Sequence, residues 1–205
     1  MYFAAFYIVW IIRVVYIAPH FFERFINRPL VYAILNEGTR IIVWIIPVIL
    51  FLRYIDFKKP VSFLKLDKDV AKKILIGVLI SAVFLIWVIL RDYFIMNRQI
   101  NFNIGIGRWM TVLVVGFAEE ILFRGFLLQK VEAAKGFWKA NFVSAFMFML
   151  AHFPSYIYHG NNNMIIEGIN MFIMGAIFGY ILKRTRSLWP GIVSHSIYDL
   201  VCFIV

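Results

Sequence analysis

Cysteine is almost missing from the sequence: Cys202 is the single one among 205 residues, so no internal disulfide can form and the redox compartment cannot be read. Charge is scarce as well, at 16% of residues against 63% hydrophobic, which excludes a soluble domain with a polar surface. Acidic side chains number 11 against 21 Lys and Arg, for a net charge of +10. That excess falls between apolar segments instead of interleaving with exposed aromatics, so it argues against a nucleic-acid partner and for topology signals beside a lipid bilayer. No internal repeat or low-complexity stretch is visible. The first apolar segment has neither a basic n-region nor an A-x-A-like cleavage site, and it carries Tyr and Trp throughout, so it is expected to be a retained span.

What is present is apolar length, with a mean hydropathy of +0.84. A bilayer core of about 30 Å takes about 20 helical residues to cross, which leaves room for roughly six to eight spans and no separate soluble domain. Isolated strands would leave backbone groups unpaired in lipid, and no run of alternating segments suggests a barrel. The fold class expected is therefore all-α, a polytopic transmembrane helix bundle of about seven spans. Seven apolar segments carry it: 2–18, 30–52, 73–95, 106–128, 139–153, 164–182 and 188–205.

The stretch from Arg53 to Lys73 holds Arg53, Lys58, Lys59, Lys65, Lys68, Lys72 and Lys73, which the positive-inside bias places in the cytoplasm. By alternation Lys130, Lys135 and Lys139 also fall inside, as do Lys183, Arg184 and Arg186, while 153–163 falls outside with no Lys or Arg. The N-terminus is then cytoplasmic, in what is expected to be a bacterial cytoplasmic membrane. Arg24, Arg28, Arg98 and Arg108 are exceptions to this scheme.

Chemistry-bearing residues gather in three of the later segments. The run GFAEEILFRG holds Glu119, Glu120 and Arg124, FMLAH holds Phe148 and His152, and HSIYD holds His195 and Asp199. Each ionised group costs at least about 2.5 kcal/mol at the bilayer centre, so these side chains should face one another or a water-filled cavity. At 1.5 Å per residue, Glu119 lies about 16 Å from Lys130, His152 about 20 Å from Lys139 and His195 about 14 Å from Arg186. All three reach the midplane, a convergence not expected of residues scattered for unrelated reasons.

Glu120 and Arg124 are four apart, share a face and can pair. Glu119 is left without a partner in this reading and is the candidate general base on water, with His152 sharing that water if the two helices pack together. Asp199, four residues from His195, can fix its tautomer and leave its other nitrogen for an oxyanion.

These three motifs, in this order, resemble the CPBP family of membrane proteins: CAAX prenyl endopeptidases and bacteriocin-processing or abortive-infection proteins. The family motifs are EExxxR, FxxxH and HxxxN or HxxxD, seen here as Glu119-Glu120 with Arg124, Phe148 with His152, and His195 with Asp199. The resemblance covers residues 105–205, the expected catalytic region, and leaves 1–104 as N-terminal spans of unassigned role. It implies an intramembrane endopeptidase acting on a membrane-associated or lipid-modified peptide or protein. It also implies that Glu119 and His152 activate water while His195 and the last motif residue hold the oxyanion. Asp199 departs from the asparagine of the prenyl-processing members; an ionised aspartate cannot donate, so an orienting role is expected for it.

Other readings compete. Glu120 with Arg124 could be a purely structural pair, and a lone histidine in a span is more often a packing or interhelical hydrogen-bond residue than a catalyst. Two histidines at the depth of Glu119 weigh the other way. Two His and one Glu are also a hydrolytic zinc set, so Glu119, His152 and His195 are the expected ligands if zinc is bound. No cofactor is favoured, because Glu119 and His152 suffice to activate water. A proton-coupled carrier, or a scaffold or immunity protein, could use the same buried charges. Glu37 with Arg40 near the start of the second segment, and Glu167 with Asn170 near the start of the sixth, are expected to be interfacial.

Overall fold

The computed structural model describes residues 2–90 and 101–204, all helices, turns and coil without a strand among the described residues. Among the described residues, seven helical rods form the bundle. They are α1 (Tyr2–Phe25), α2 (Pro29–Tyr54), α4 (Val70–Ile89), α5 (106–135), α6 (Phe137–Tyr158), α7 (Met164–Thr185) and α8 (Trp189–Ile204), with a one-turn helix α3 (Pro60–Phe63) between α2 and α4. The end of the expected 73–95 span and Arg98 lie outside the described residues.

Among the described residues, five rods are long and apolar enough to cross a membrane: α1, α2, α4, α6 and α7. The other two are set apart for physical reasons. The α5 rod carries Glu119, Glu120 and Arg124 within its apolar run, and α8 has only 16 residues. The first span runs on to Phe25, past the expected end at Ala18, because Pro19 sits within a widened helical stretch instead of terminating it.

That widening recurs. Backbone bonding of the π type, with one extra residue per turn, occupies Arg13–Phe22 in α1, Ile41–Ile45 in α2 and Glu120–Leu128 in α5. In α2 it is followed by Pro47, which has no N–H to offer the preceding turn.

Helix α8 packs most extensively on α4 and also along α5, α6 packs on α7, and α2 on α5. One aromatic core joins the two halves of the chain: Phe6, Trp10, Trp44, Phe123 and Phe148 are all buried within it. The Trp10 indole donates to the Ala151 carbonyl at 2.9 Å and the Tyr7 hydroxyl to the Met147 carbonyl, fastening α1 to α6.

The three Lys- and Arg-rich connections meet at one end of the bundle. The Lys65 carbonyl accepts from the Leu188 N–H at 3.2 Å, Leu66 accepts from the Trp189 indole at 3.0 Å, and Gln129 donates to the Phe63 carbonyl at 2.9 Å. Lys130 pairs with Asp56 at the same end. The Lys65 ammonium is held below its ordinary pKa, chiefly by burial in this junction.

Candidate active site

Helix α5 changes character between its two glutamates. Glu119 ends the regular helical part and Glu120 begins the π stretch, of which all nine residues are buried. Glu120 is 0% exposed and Arg124 likewise, with Arg124 Nη1 standing 3.0 Å from Glu120 Oε1. The guanidinium makes no directed hydrogen bond among the described residues. It lies over the Phe148 ring at 4.2 Å and faces Phe178 at 5.5 Å, so two π faces supplement the ion pair. Room for this buried pair comes from two glycines. A Cβ on Gly175 would stand 3.1 Å from Arg124 Nη2, and one on Gly191 would stand 3.0 Å from Glu120 Oε2.

The same Oε1 of Glu120 lies 3.0 Å from His195 Nδ1. A carboxylate only accepts, so Nδ1 carries the proton, and Nε2 is turned toward Glu119 Oε2 at 3.6 Å and Asp199 Oδ2 at 3.8 Å. The imidazole is stacked on Phe178 and edge-on to Phe148. The close partner of His195 is therefore Glu120, where sequence spacing had suggested Asp199: the helical i,i+4 relation is met, but the interhelical contact is the shorter one.

On α6, His152 gives its Nδ1–H to the Phe148 carbonyl at 2.9 Å, which leaves Nε2 as the acceptor of the ring. Glu119 and His152 stand close enough for their charges to interact. Both line a cavity of about 390 Å³ together with Arg40, Asp199, Thr111 and Arg13. The cavity also touches Pro19, Glu23, His159 and Phe203, so it lies toward the end of the bundle opposite the Lys-rich connections. His195 is not among its lining residues; it sits behind Glu119 and Asp199.

Two expectations are corrected here. Glu119 is not unpaired, because Arg40 Nη1 reaches its Oε1 at 3.0 Å. Nor are Glu37 and Arg40 interfacial: Glu37 is 1% exposed, and Arg40 lies at the middle of α2 with its Nε 3.1 Å from Glu37 Oε2. Glu37 Oε1 accepts from Thr111 at 2.9 Å and from Asn36 at 2.7 Å, and the Asn36 side chain in turn accepts from Arg13. Arg40 was within reach of sequence reasoning. It stands 13 residues from Arg53, about 20 Å along a helix, the depth already assigned to His152. Asn170 hydrogen-bonds the Tyr198 hydroxyl at 3.2 Å, and neither it nor Glu167 lines the cavity. Among the described residues no three His, Cys, Asp or Glu side chains converge as a ready metal site.

A helical membrane protein that sets Glu119, His152 and Arg40 on a polar cavity, with buried Glu120, Arg124 and His195 behind them, has the equipment of a membrane-embedded hydrolase. Residues 101–201 match the family model described as type II CAAX prenyl endopeptidase Rce1-like, and over this half the chain belongs to that family of membrane proteases. No curated protein and no solved structure matches the chain.

Proposed function

We propose that the protein is an intramembrane endopeptidase that hydrolyses a peptide bond in a membrane-associated or lipid-modified substrate, using water activated by Glu119 and His152. The observation that carries this reading is that these two side chains, from different helices, line one cavity of about 390 Å³. Lipid would be expected to drive such groups apart or neutralise them unless they served something in that space. The His152 Nε2 lone pair and the Glu119 carboxylate are the acceptors for the water's proton as its oxygen attacks the peptide carbonyl carbon. When the tetrahedral intermediate collapses, the C–N bond breaks and the proton passes to the leaving amine.

The Arg124, Glu120 and His195 chain stands behind Glu119, with His195 Nε2 3.6 Å from Glu119 Oε2 on the side away from the cavity. Asp199 lines the cavity and faces His195, an orienting place for a side chain that donates nothing when ionised. Water activation by the Glu119 and His152 pair requires no metal, because the pair supplies the base by itself. The charge pattern supports a cytoplasmic N-terminus, which puts the cavity on the outer half of the membrane.

The experiment is cleavage of a quenched-fluorescent prenylated peptide ending in a CAAX sequence, with the full-length protein in lipid vesicles. Glu119→Gln is expected to lower the rate about 10²- to 10⁴-fold while leaving insertion and elution volume unchanged. Undiminished cleavage by that variant would remove Glu119 from the mechanism.

A further inference from the structure

A peptidase of this kind must stabilise the negative oxygen that forms when water adds to the carbonyl, and the site's cations differ in how they can do so. Arg124 is sealed at 0% exposure between Phe148 and Phe178 and lines no part of the cavity. His195 is also set back, with Nδ1 given to Glu120 and Nε2 turned to Glu119 and Asp199. Arg13 lines the cavity, and its Nη1 has no hydrogen bond among the described residues, but Nη2 is held by the Asn36 carbonyl and side chain, Nε lies 3.5 Å from Thr39, and it makes no ion pair with Glu119.

Arg40 is placed differently. Its Nε is held by Glu37 at 3.1 Å and its Nη1 by Glu119 at 3.0 Å, while its guanidinium faces the Trp10 ring at 5.3 Å and the Trp44 ring at 5.6 Å. Two carboxylates and two indoles thus fix the plane of the group. Nη2 makes no hydrogen bond among the described residues, and the residue lines the cavity directly beside the glutamate proposed as base. Preorganised donors fixed before charge develops are what an oxyanion requires, and a guanidinium stays charged throughout.

We infer that Arg40 is a catalytic residue whose Nη2 donates to the oxyanion of the tetrahedral intermediate. In that step the water oxygen bonds to the carbonyl carbon, the C=O π pair moves onto oxygen, and the water's proton goes to the Glu119 and His152 pair. The new negative charge stays on that carbonyl oxygen, where Arg40 Nη2 donates to it; the electron pair then re-forms the carbonyl as the C–N bond breaks and the proton passes from the Glu119 and His152 pair to the leaving amine. The assignment rests on the peptidase reading. It lies outside that family's matched region, since α2 precedes residue 101.

The test uses full-length protein in vesicles with the prenylated CAAX peptide as substrate and a phosphinate peptide of the same sequence as tetrahedral analogue. Arg40→Gln should lower kcat about 10²- to 10³-fold with KM nearly unchanged, and weaken the phosphinate by a similar factor. Peptide affinity measured in a Glu119→Gln background should be the same with or without Arg40→Gln. Arg40→Lys retains the charge in case the Gln variant does not fold; a single ammonium cannot hold Glu37, Glu119 and the oxyanion together, so a smaller loss in rate and in phosphinate affinity is expected. A slow Arg40→Gln that still binds phosphinate as wild type would show that Arg40 only holds Glu119, overturning the assignment. Full activity in Arg40→Gln would do the same. An active Glu119→Gln is a separate failure, that of the peptidase reading itself.

Discussion

Arg40 and Glu119 are 79 residues apart in the chain, and their side chains are joined by a 3.0 Å ion pair across the α2–α5 interface. One partner lies in the unmatched N-terminal half and the other in the family region, so the site is built by both halves. Glu37, Thr111 and Asn36 extend the contact into a buried polar strip between the two helices.

The buried Glu120 and Arg124 pair makes a stability prediction. Glu120→Gln strands Arg124 between two phenylalanines without its counter-charge and takes away the acceptor of His195 Nδ1. Breaking one side of such a pair costs about 3 to 5 kcal/mol, so the variant should express poorly and melt lower in detergent, unlike Glu119→Gln. A wild-type melting curve for Glu120→Gln would count against a structural role for the pair.

Gly191 and Gly38 form a matched test of space. A methyl group at Gly191 would stand 3.0 Å from Glu120 Oε2, whereas at Gly38 nothing lies within 4 Å. Gly191→Ala should cost about 1 to 3 kcal/mol through crowding of the ion pair. Gly38→Ala, in the interior of α2, should gain roughly 0.5 to 1 kcal/mol from helix propensity. Thermal unfolding of the two variants side by side would reveal an absence of the expected difference.

Orientation can be read with reporters. A tag at Lys65 should be protected inside and one at Asn162 accessible outside, because the three basic connections share one bundle end and 153–163 lies at the other. Reversed signals at both positions would invert the bundle and turn the cavity to the cytoplasm, leaving its chemistry intact.

Metal dependence has its own outcome. Purified active protein is expected to carry less than stoichiometric zinc and to keep its activity after chelation, because the proposed base is a Glu and His pair. Stoichiometric zinc lost together with activity in His152→Ala would replace that scheme with first-coordination chemistry.

Much of the bundle was legible because hydrophobic length is a local property: every one of the seven apolar segments corresponds to a helical rod, described in full or in part. Common level along the bundle was legible too: counting about 1.5 Å per residue from basic markers puts Glu119, His152 and His195 at one height, and Glu119 lies near both histidines. Partnership was harder to read. Whether His195 meets Glu120 or Asp199 depends on how α8 lies against α5, which spacing within α8 cannot report. Arg40 escaped because it was assigned to the beginning of a span, although Pro29–Tyr54 places it at the middle. Phe148 and Phe178, two aromatics among many in a chain with 19% aromatic residues, enclose Arg124 only once three helices have packed.

The π stretches set a different kind of tolerance. A π turn holds one more residue than a regular turn, and Ile41–Ile45, which contains the buried Trp44, sets Arg40 against the turns of α2 that follow it. Removing one residue there would let α2 relax to regular winding, in which four residues turn through about the same angle as five in the π turn, so Glu37 and Arg40 would keep the face that meets α5. Single substitutions at exposed Ile41 or Ile42 should pass almost unnoticed, and a one-residue deletion between them should leave the Arg40 to Glu119 contact in place. In that stretch the widened turn holds one residue in reserve, so the count of the chain can change there without turning the site.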